Sequence, residues 1–102
     1  MECIDIDKTG IRADVVREIR ALARQYDIDQ VILFGSRSRG DYRKTSDIDL
    51  AVSGGNFTRF ALDVEEDTST LLMFDFVDLN RSVQNELLES IYREGKMLYE
   101  KI

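Results

Sequence analysis

Two short motifs in the middle of the chain carry residue types that can act together on a phosphorylated substrate. An apolar stretch ending at Phe34 is followed by Gly35 and Ser36, and Asp47 and Asp49 lie a little further along. A glycine-serine turn offers backbone N–H groups to an anion, and a short helix starting there points its positive end the same way. Aspartates two positions apart on a strand project from one face and suit Mg²⁺, which binds through one or two carboxylates plus substrate phosphates. The two motifs therefore predict metal-assisted chemistry on a nucleoside triphosphate.

The segment between the two motifs is basic on an otherwise acidic chain. Residues 35–46 contain three arginines and one lysine against one aspartate, so the net charge of −6 divides into +3 here and −9 elsewhere. A small cationic segment suits a compact anion such as a triphosphate. Non-specific binding of nucleic acid is not expected, because it depends on many basic contacts to phosphates. A solvated surface loop is the alternative explanation of the charge.

Hydrophobic spacing predicts an α/β (α+β) architecture in a single domain spanning residues 1–102. Apolar residues three or four apart indicate amphipathic helices, and alternation or short apolar runs indicate strands. In chain order we expect a helix at 11–26, a strand at 29–34, a helical turn at 36–40, a strand at 47–52, a helix at 57–67, a strand at 71–79, a helix from 80 or 82 to 94 capped by Gly95, and a tail at 96–102. These elements predict helices packed against a small mixed β-sheet.

Composition and motif tests exclude several classes of protein. One cysteine and no histidine exclude a zinc site and a Cys–His nucleophile. The glycine spacing of 35–40 is that of a P-loop, but Asp41 and Tyr42 replace the required Lys-Ser/Thr, and Arg37 replaces the second glycine of a dinucleotide-binding motif. No stretch approaches the roughly 20 apolar residues of a membrane-spanning helix. The N-terminal residues are acidic and lack the pattern of a signal peptide, so we expect a cytoplasmic protein.

The order of these motifs resembles the minimal nucleotidyltransferases, the small branch of the polymerase-beta-like nucleotidyltransferase superfamily. The family pattern is a Gly-Ser turn, a short helix and an Asp-x-Asp on the next strand, with a third carboxylate on a later strand. Gly35-Ser36 and the segment Ser46-Asp47-Ile48-Asp49-Leu50 match the first part, and the resemblance covers roughly residues 11–100. It implies that Asp75, flanked by two phenylalanines, is the third carboxylate. Asp78, three positions on and therefore on the opposite strand face, is the alternative.

The resemblance implies a two-metal mechanism. Two Mg²⁺ ions would be held by Asp47, Asp49 and Asp75, one on the triphosphate and one on the attacking hydroxyl. Asp75 would be the general base or the ligand that positions it. The resemblance implies that the backbone amides of Gly35 and Ser36 and the Ser36 hydroxyl hold the β- and γ-phosphates. Arg37 and Arg39 are the candidates for neutralising the leaving pyrophosphate, although no motif match fixes their roles.

The implied reaction is in-line attack of a hydroxyl on the α-phosphate, which transfers AMP and releases pyrophosphate if ATP is the donor. Small members of the family work beside helical HEPN-type proteins in toxin–antitoxin systems, so the implied acceptor is a tyrosine of a partner toxin and the chain would be its antitoxin. The alternative is a non-catalytic interaction subunit that binds and neutralises or regulates such a partner. A complete carboxylate set favours the enzyme, because a binding module has no physical reason to keep it. Nucleotide preference, acceptor and oligomeric state are left open.

Overall fold

Four strands form one mixed sheet at the centre of the computed structural model, which describes residues 1–102. The strands are β1 (Gln30–Phe34), β2 (Ile48–Ser53), β3 (Phe74–Asp78) and β4 (Lys96–Glu100), and the helices are α1 (Ala13–Gln25), α2 (Ser36–Arg39), α3 (Phe57–Asp67) and α4 (Asn85–Glu94). The order across the sheet is β3-β2-β1-β4. β1 is antiparallel to β2 and β4, whereas β2 and β3 are parallel. The predicted α+β fold with a small mixed sheet is confirmed.

The two faces of the sheet are covered unequally. On one face, alternate residues of β1 and β2 pack with α1 and α3 in a buried cluster of 14 residues. On the other face, Ile32, Phe34 and Ala51 pack with Ile91 of α4 in a cluster of four. Successive strand residues point to opposite faces, so Asp49 shares the face of Ala51. The predicted functional aspartate therefore lies on the less covered, α4 side of the sheet.

The C-terminal residues form a strand, so the prediction of a tail at 96–102 is wrong. β4 pairs with β1, and Leu98 is buried. Gly95 ends α4 as predicted, and its N–H donates to the Ile91 carbonyl, but its backbone is extended, with φ −68° and ψ 150°. A Cβ at Gly95 would lie 2.3 Å from the Ile91 carbonyl oxygen and 2.6 Å from Cγ2 of Ile32. Glycine is required because the chain passes from α4 directly into the sheet.

Several other boundaries differ from the prediction by a few residues. α3 has the predicted bounds, but β3 begins at Phe74 and α4 begins at Asn85. The residues before α4 form a turn in which the Asp78 carboxylate accepts the Asn80 N–H at 2.9 Å. β2 begins one residue after Asp47.

None of the helices has both the length and the apolar character needed to cross a lipid bilayer.

Candidate functional site

The turn after β1 is in contact with the side chain of Asp49. β1 and β2 pair so that Phe34 lies opposite Asp49, and Gly35 follows immediately. Gly35 has a φ of 75°, in the left-handed region that glycine adopts readily. A Cβ at this position would lie 2.1 Å from Asp49 Oδ2. Only glycine fits beside this carboxylate, so the fold joins the two sequence motifs at one corner of the sheet.

Asp75 lies next to Asp49 on the neighbouring strand. Asp49 and Asp75 are register partners in the parallel pair β2–β3, so their side chains project from the same face. Asp78 is paired with Val52 instead, and its carboxylate forms an ion pair with Arg81 at 3.4 Å. The structure therefore brings Asp75 to Asp49, while Asp78 stabilises the turn that follows its own strand.

The carboxylates at this corner repel one another. The pKa of Asp49 is raised to about 6, first because burial penalises its charged form and then because Asp75 and Asp47 are near it. The charge of Arg39 acts in the opposite direction. Asp47 and Asp75 are themselves exposed. A charge that is unfavourable in the protein alone is stabilised by a bound cation, so the electrostatics of the corner favour cation binding.

The ligand chemistry of this corner matches Mg²⁺, which prefers hard oxygen ligands. No group of three or more acidic, cysteine or histidine side chains is close enough to hold an ion by itself. Mg²⁺ usually keeps several waters and binds through one or two carboxylates together with substrate phosphates. The residues present therefore fit Mg²⁺ bound jointly with a nucleotide. The assignment of Asp47, Asp49 and Asp75 as metal ligands and catalytic residues stays a prediction.

Ser36 and Arg39 are the first and last residues of α2, the short helix after the turn. Ser36 is half-buried and Arg39 is exposed. Arg39 Nε donates to Asp41 at 3.1 Å, and Nη1 donates to both carboxylate oxygens of Glu94 at 3.1 and 3.2 Å. The Nη2 group of Arg39 makes no hydrogen bond within the protein. Gly35, Ser36 and Arg39 thus lie along one short segment beside Asp49 and remain the predicted phosphate-binding residues.

Arg37 points into the protein, and the predicted phosphate-binding role does not fit this placement. The residue is 2% exposed. Its guanidinium donates to four carbonyl oxygens, which belong to Thr9, Arg43, Lys44 and Ser46. It also lies 4.9 Å from the centre of the Tyr42 ring, and burial lowers its pKa. Arg37 therefore holds in place the loop that leads to Asp47, with four of its five N–H donors already occupied.

Glu94 belongs to this corner although the sequence pattern did not single it out. It is the last residue of α4, and its carboxylate accepts the Gly35 N–H at 3.1 Å as well as the ion pair from Arg39. Its backbone carbonyl accepts the Ser38 hydroxyl at 2.5 Å. A carboxylate in the last turn lies at the negative end of the helix dipole, where cations are favoured. An acidic residue at the C-terminal end of a predicted helix is therefore the sequence signal that could have identified Glu94.

Comparison with known proteins identifies relatives along most of the chain. The family profile described as polymerase beta, nucleotidyltransferase matches residues 17–102. A candidate protein adenylyltransferase of Methanocaldococcus jannaschii is 33% identical in an alignment 93 positions long, and the alignment covers 79% of this chain and 90% of that protein. The residues matched by the family profile include the glycine turn and all of the predicted aspartates.

Solved structures with this fold include two-protein complexes. A crystal structure of a toxin–antitoxin with AMP-PNP superposes with a TM-score of 0.65 at 26% identity, over 84% of this chain and 73% of that chain. A tri-AMPylated Shewanella oneidensis HEPN toxin in complex with an MNT antitoxin superposes with a TM-score of 0.58 at 24% identity, over 85% of this chain and 71% of that chain. The second likeness shows the fold alone. Since the family profile spans most of the chain and the fold agrees, this chain belongs to the polymerase-beta nucleotidyltransferase family.

Proposed function

We propose that this protein is a Mg²⁺-dependent nucleotidyltransferase that transfers AMP from ATP to a hydroxyl group of a partner protein. The observation that carries the proposal is the contact between the Gly35 turn and Asp49, with Asp75 as the register partner of Asp49. This arrangement supports a site in which phosphate-binding donors of the turn act beside carboxylate ligands for a cation. Those are the two requirements of metal-assisted phosphoryl transfer.

The phosphates bind to the segment that follows β1. The Ser36 N–H and the Ser36 hydroxyl bind the β- and γ-phosphates, while the Gly35 N–H donates to Glu94 and fixes the turn. Arg39 is exposed at the end of α2, and its unoccupied Nη2 donors neutralise charge that develops on the leaving pyrophosphate. Preorganised donors of this kind stabilise a transition state because they need no rearrangement as charge develops.

The carboxylate part of the proposal uses Asp47, Asp49 and Asp75, which would hold Mg²⁺ together with the triphosphate. When bound, Mg²⁺ supplies charge neutralisation and lowers the pKa of the acceptor hydroxyl. Asp75 is exposed beside Asp49 and accepts the hydroxyl proton. The acceptor oxygen forms a bond to the α-phosphorus, the bond from that phosphorus to the β-phosphate oxygen breaks, and pyrophosphate leaves.

The nature of the partner is suggested by the structural relatives. One relative is a toxin–antitoxin with AMP-PNP, and another is an AMPylated HEPN toxin in complex with its antitoxin. We infer that this chain is likewise the antitoxin of a helical HEPN-type protein, that a tyrosine of that protein is the acceptor, and that both act in the cytoplasm. The whole proposal concerns a single domain at residues 1–102.

The test is incubation of the purified protein with Mg²⁺ and α-³²P-labelled ATP, with and without the product of the neighbouring gene. Asp49→Asn and Asp75→Asn should lose transfer of label by at least about a hundredfold, as expected for groups that act in the transition state. Asp78→Asn is the matched control on the same strand and should retain it, because that carboxylate is engaged in the turn. Undiminished transfer by Asp49→Asn would contradict the assignment of the site.

A non-catalytic interaction subunit is the second candidate, and one observation favours it. Leu71 and Met73, in the segment before the edge strand β3, are 102% and 70% exposed. Contiguous exposed apolar surface often marks a contact with another protein, and these two side chains lie two positions apart on one short segment. A stable complex with the neighbouring protein, without label on either chain, would favour this candidate over the enzyme.

A further inference from the structure

We propose that Glu94 is a positioning residue for the triphosphate, acting through Arg39 and through the backbone turn at Gly35. The inference deepens the proposed function and rests on it. Glu94 holds the predicted phosphate-binding segment through two groups with one carboxylate: Oε1 accepts the Gly35 N–H at 3.1 Å, and both oxygens accept from Arg39. No other side chain in the structure bonds to both groups.

The position of Glu94 is electrostatically unfavourable unless it is compensated. The side chain is 17% exposed, lies at the negative end of α4, and adds to the repulsion on Asp49. Arg39 and the Gly35 N–H supply that compensation. Because the carboxylate depends on these two groups, it also restricts where they can be, and this mutual restriction is what positions them.

Arg39 is held from two sides in a way that leaves one end of its guanidinium available. Asp41 accepts from Nε and Glu94 accepts from Nη1, while Nη2 makes no hydrogen bond within the protein. An exposed arginine normally loses side-chain freedom when it binds a ligand, and restricting it beforehand lowers that cost. The Ser38 hydroxyl also bonds to the Glu94 carbonyl at 2.5 Å, so α2 as a whole is tied to the end of α4.

The experiment measures binding of Mg²⁺·AMP-PNP by titration calorimetry, together with kcat and KM for label transfer. Glu94→Gln keeps the size of the side chain and an oxygen for the Gly35 N–H, but it removes the charge that holds Arg39. We expect affinity to fall roughly five- to tenfold, as for loss of one immobilised side chain, with KM rising and kcat falling as well, because Arg39 also faces the charge that develops on the leaving pyrophosphate. Glu86→Gln, at the exposed start of the same helix, is the matched control and should bind like wild type.

A double-mutant cycle separates positioning from a general structural effect. If Glu94 acts through Arg39, Glu94→Gln should change affinity much less in an Arg39→Gln background than in wild type. Equal effects in both backgrounds, or an affinity equal to that of Glu86→Gln, would overturn the inference. Tighter binding would overturn it as well, because the carboxylate would then compete with phosphate for Arg39.

Two further results keep the inference separate from the function on which it rests. If wild type binds no Mg²⁺·AMP-PNP, the proposed function fails, whereas normal binding by wild type with an unaffected Glu94→Gln rejects only the role of Glu94. If Glu94→Gln does not fold, Asp41→Asn removes the other carboxylate that orients Arg39, from its exposed side. Unchanged affinity in that variant would reject the idea that orienting Arg39 controls binding.

Discussion

Replacing Arg37 by methionine removes a buried guanidinium while keeping a long side chain in the same space. The wild-type residue is 2% exposed and donates to four carbonyl oxygens at distances of 3.0 to 3.4 Å. Three of these carbonyls belong to the loop that leads to Asp47. The change should therefore destabilise the fold, and its effect on nucleotide binding should follow from the displaced loop.

The size of the effect follows from the hydrogen bonds that are lost. A hydrogen bond from a charged donor contributes about 1.5–3 kcal/mol, but removing a buried charge also removes its desolvation cost. We expect a net loss of about 2–4 kcal/mol in the free energy of unfolding, a large part of the roughly 5–15 kcal/mol of a small domain. For a domain of this size that corresponds to a decrease in Tm of roughly 10–25 °C.

The assay is urea unfolding of wild type, Arg37→Met and Arg17→Met at one temperature. Arg17 is an exposed arginine of α1, so its replacement should change the unfolding free energy by less than about 0.5 kcal/mol. If Arg37→Met has wild-type stability but no longer binds Mg²⁺·AMP-PNP, the structural role is wrong. Arg37 would then be a phosphate ligand after all.

Two other predictions concern Gly35 and Asp49. Gly35→Ala should abolish nucleotidyl transfer and lower the free energy of unfolding about 1–3 kcal/mol more than Gly40→Ala does. Both glycines have a positive φ, but only at Gly35 would a Cβ meet a neighbouring atom. Equal losses of stability in urea unfolding would contradict the contact between Gly35 and Asp49. In metal-free buffer Asp49→Asn should be more stable than wild type at neutral pH, and this advantage should disappear as the pH falls through about 6 towards 3.8. The sign follows because the folded-state pKa of Asp49 is raised, so wild type loses stability as the pH rises through that interval; an Asp49→Asn protein less stable than wild type at neutral pH would refute it.

Local sequence was sufficient for much of the fold because the signals lie within single elements. The apolar stretch ending at Phe34, the breaker at Gly35 and the alternation after Asp47 predicted β1, the turn and β2 to within one or two residues. The helix at 57–67 was predicted with its observed bounds. Periodicity and turn residues act over a few positions, so no distant contact was needed to recognise them.

The two elements that were predicted wrongly depend on contacts that their own hydrophobic pattern does not show. β4 was predicted as a tail because a five-residue segment has too few positions to show a pattern, and its pairing with β1 joins residues more than sixty positions apart. The start of α4 was placed too early because Asp78 and Asn80 form a turn of their own. In both cases a contact outside the segment decided its conformation.

The sequence by itself determined the residue types, their order and hence the family: a glycine-serine turn, two aspartates two apart and a later aspartate in an apolar strand. Only the tertiary structure decided which of them meet. Register across the parallel strands brings Asp75 to Asp49, the direction of one turn of helix buries Arg37 and exposes Arg39, and the end of α4 brings in Glu94. The physical reason is that spacing along a chain specifies the face of an element, whereas contact between side chains depends on how whole elements pair and pack.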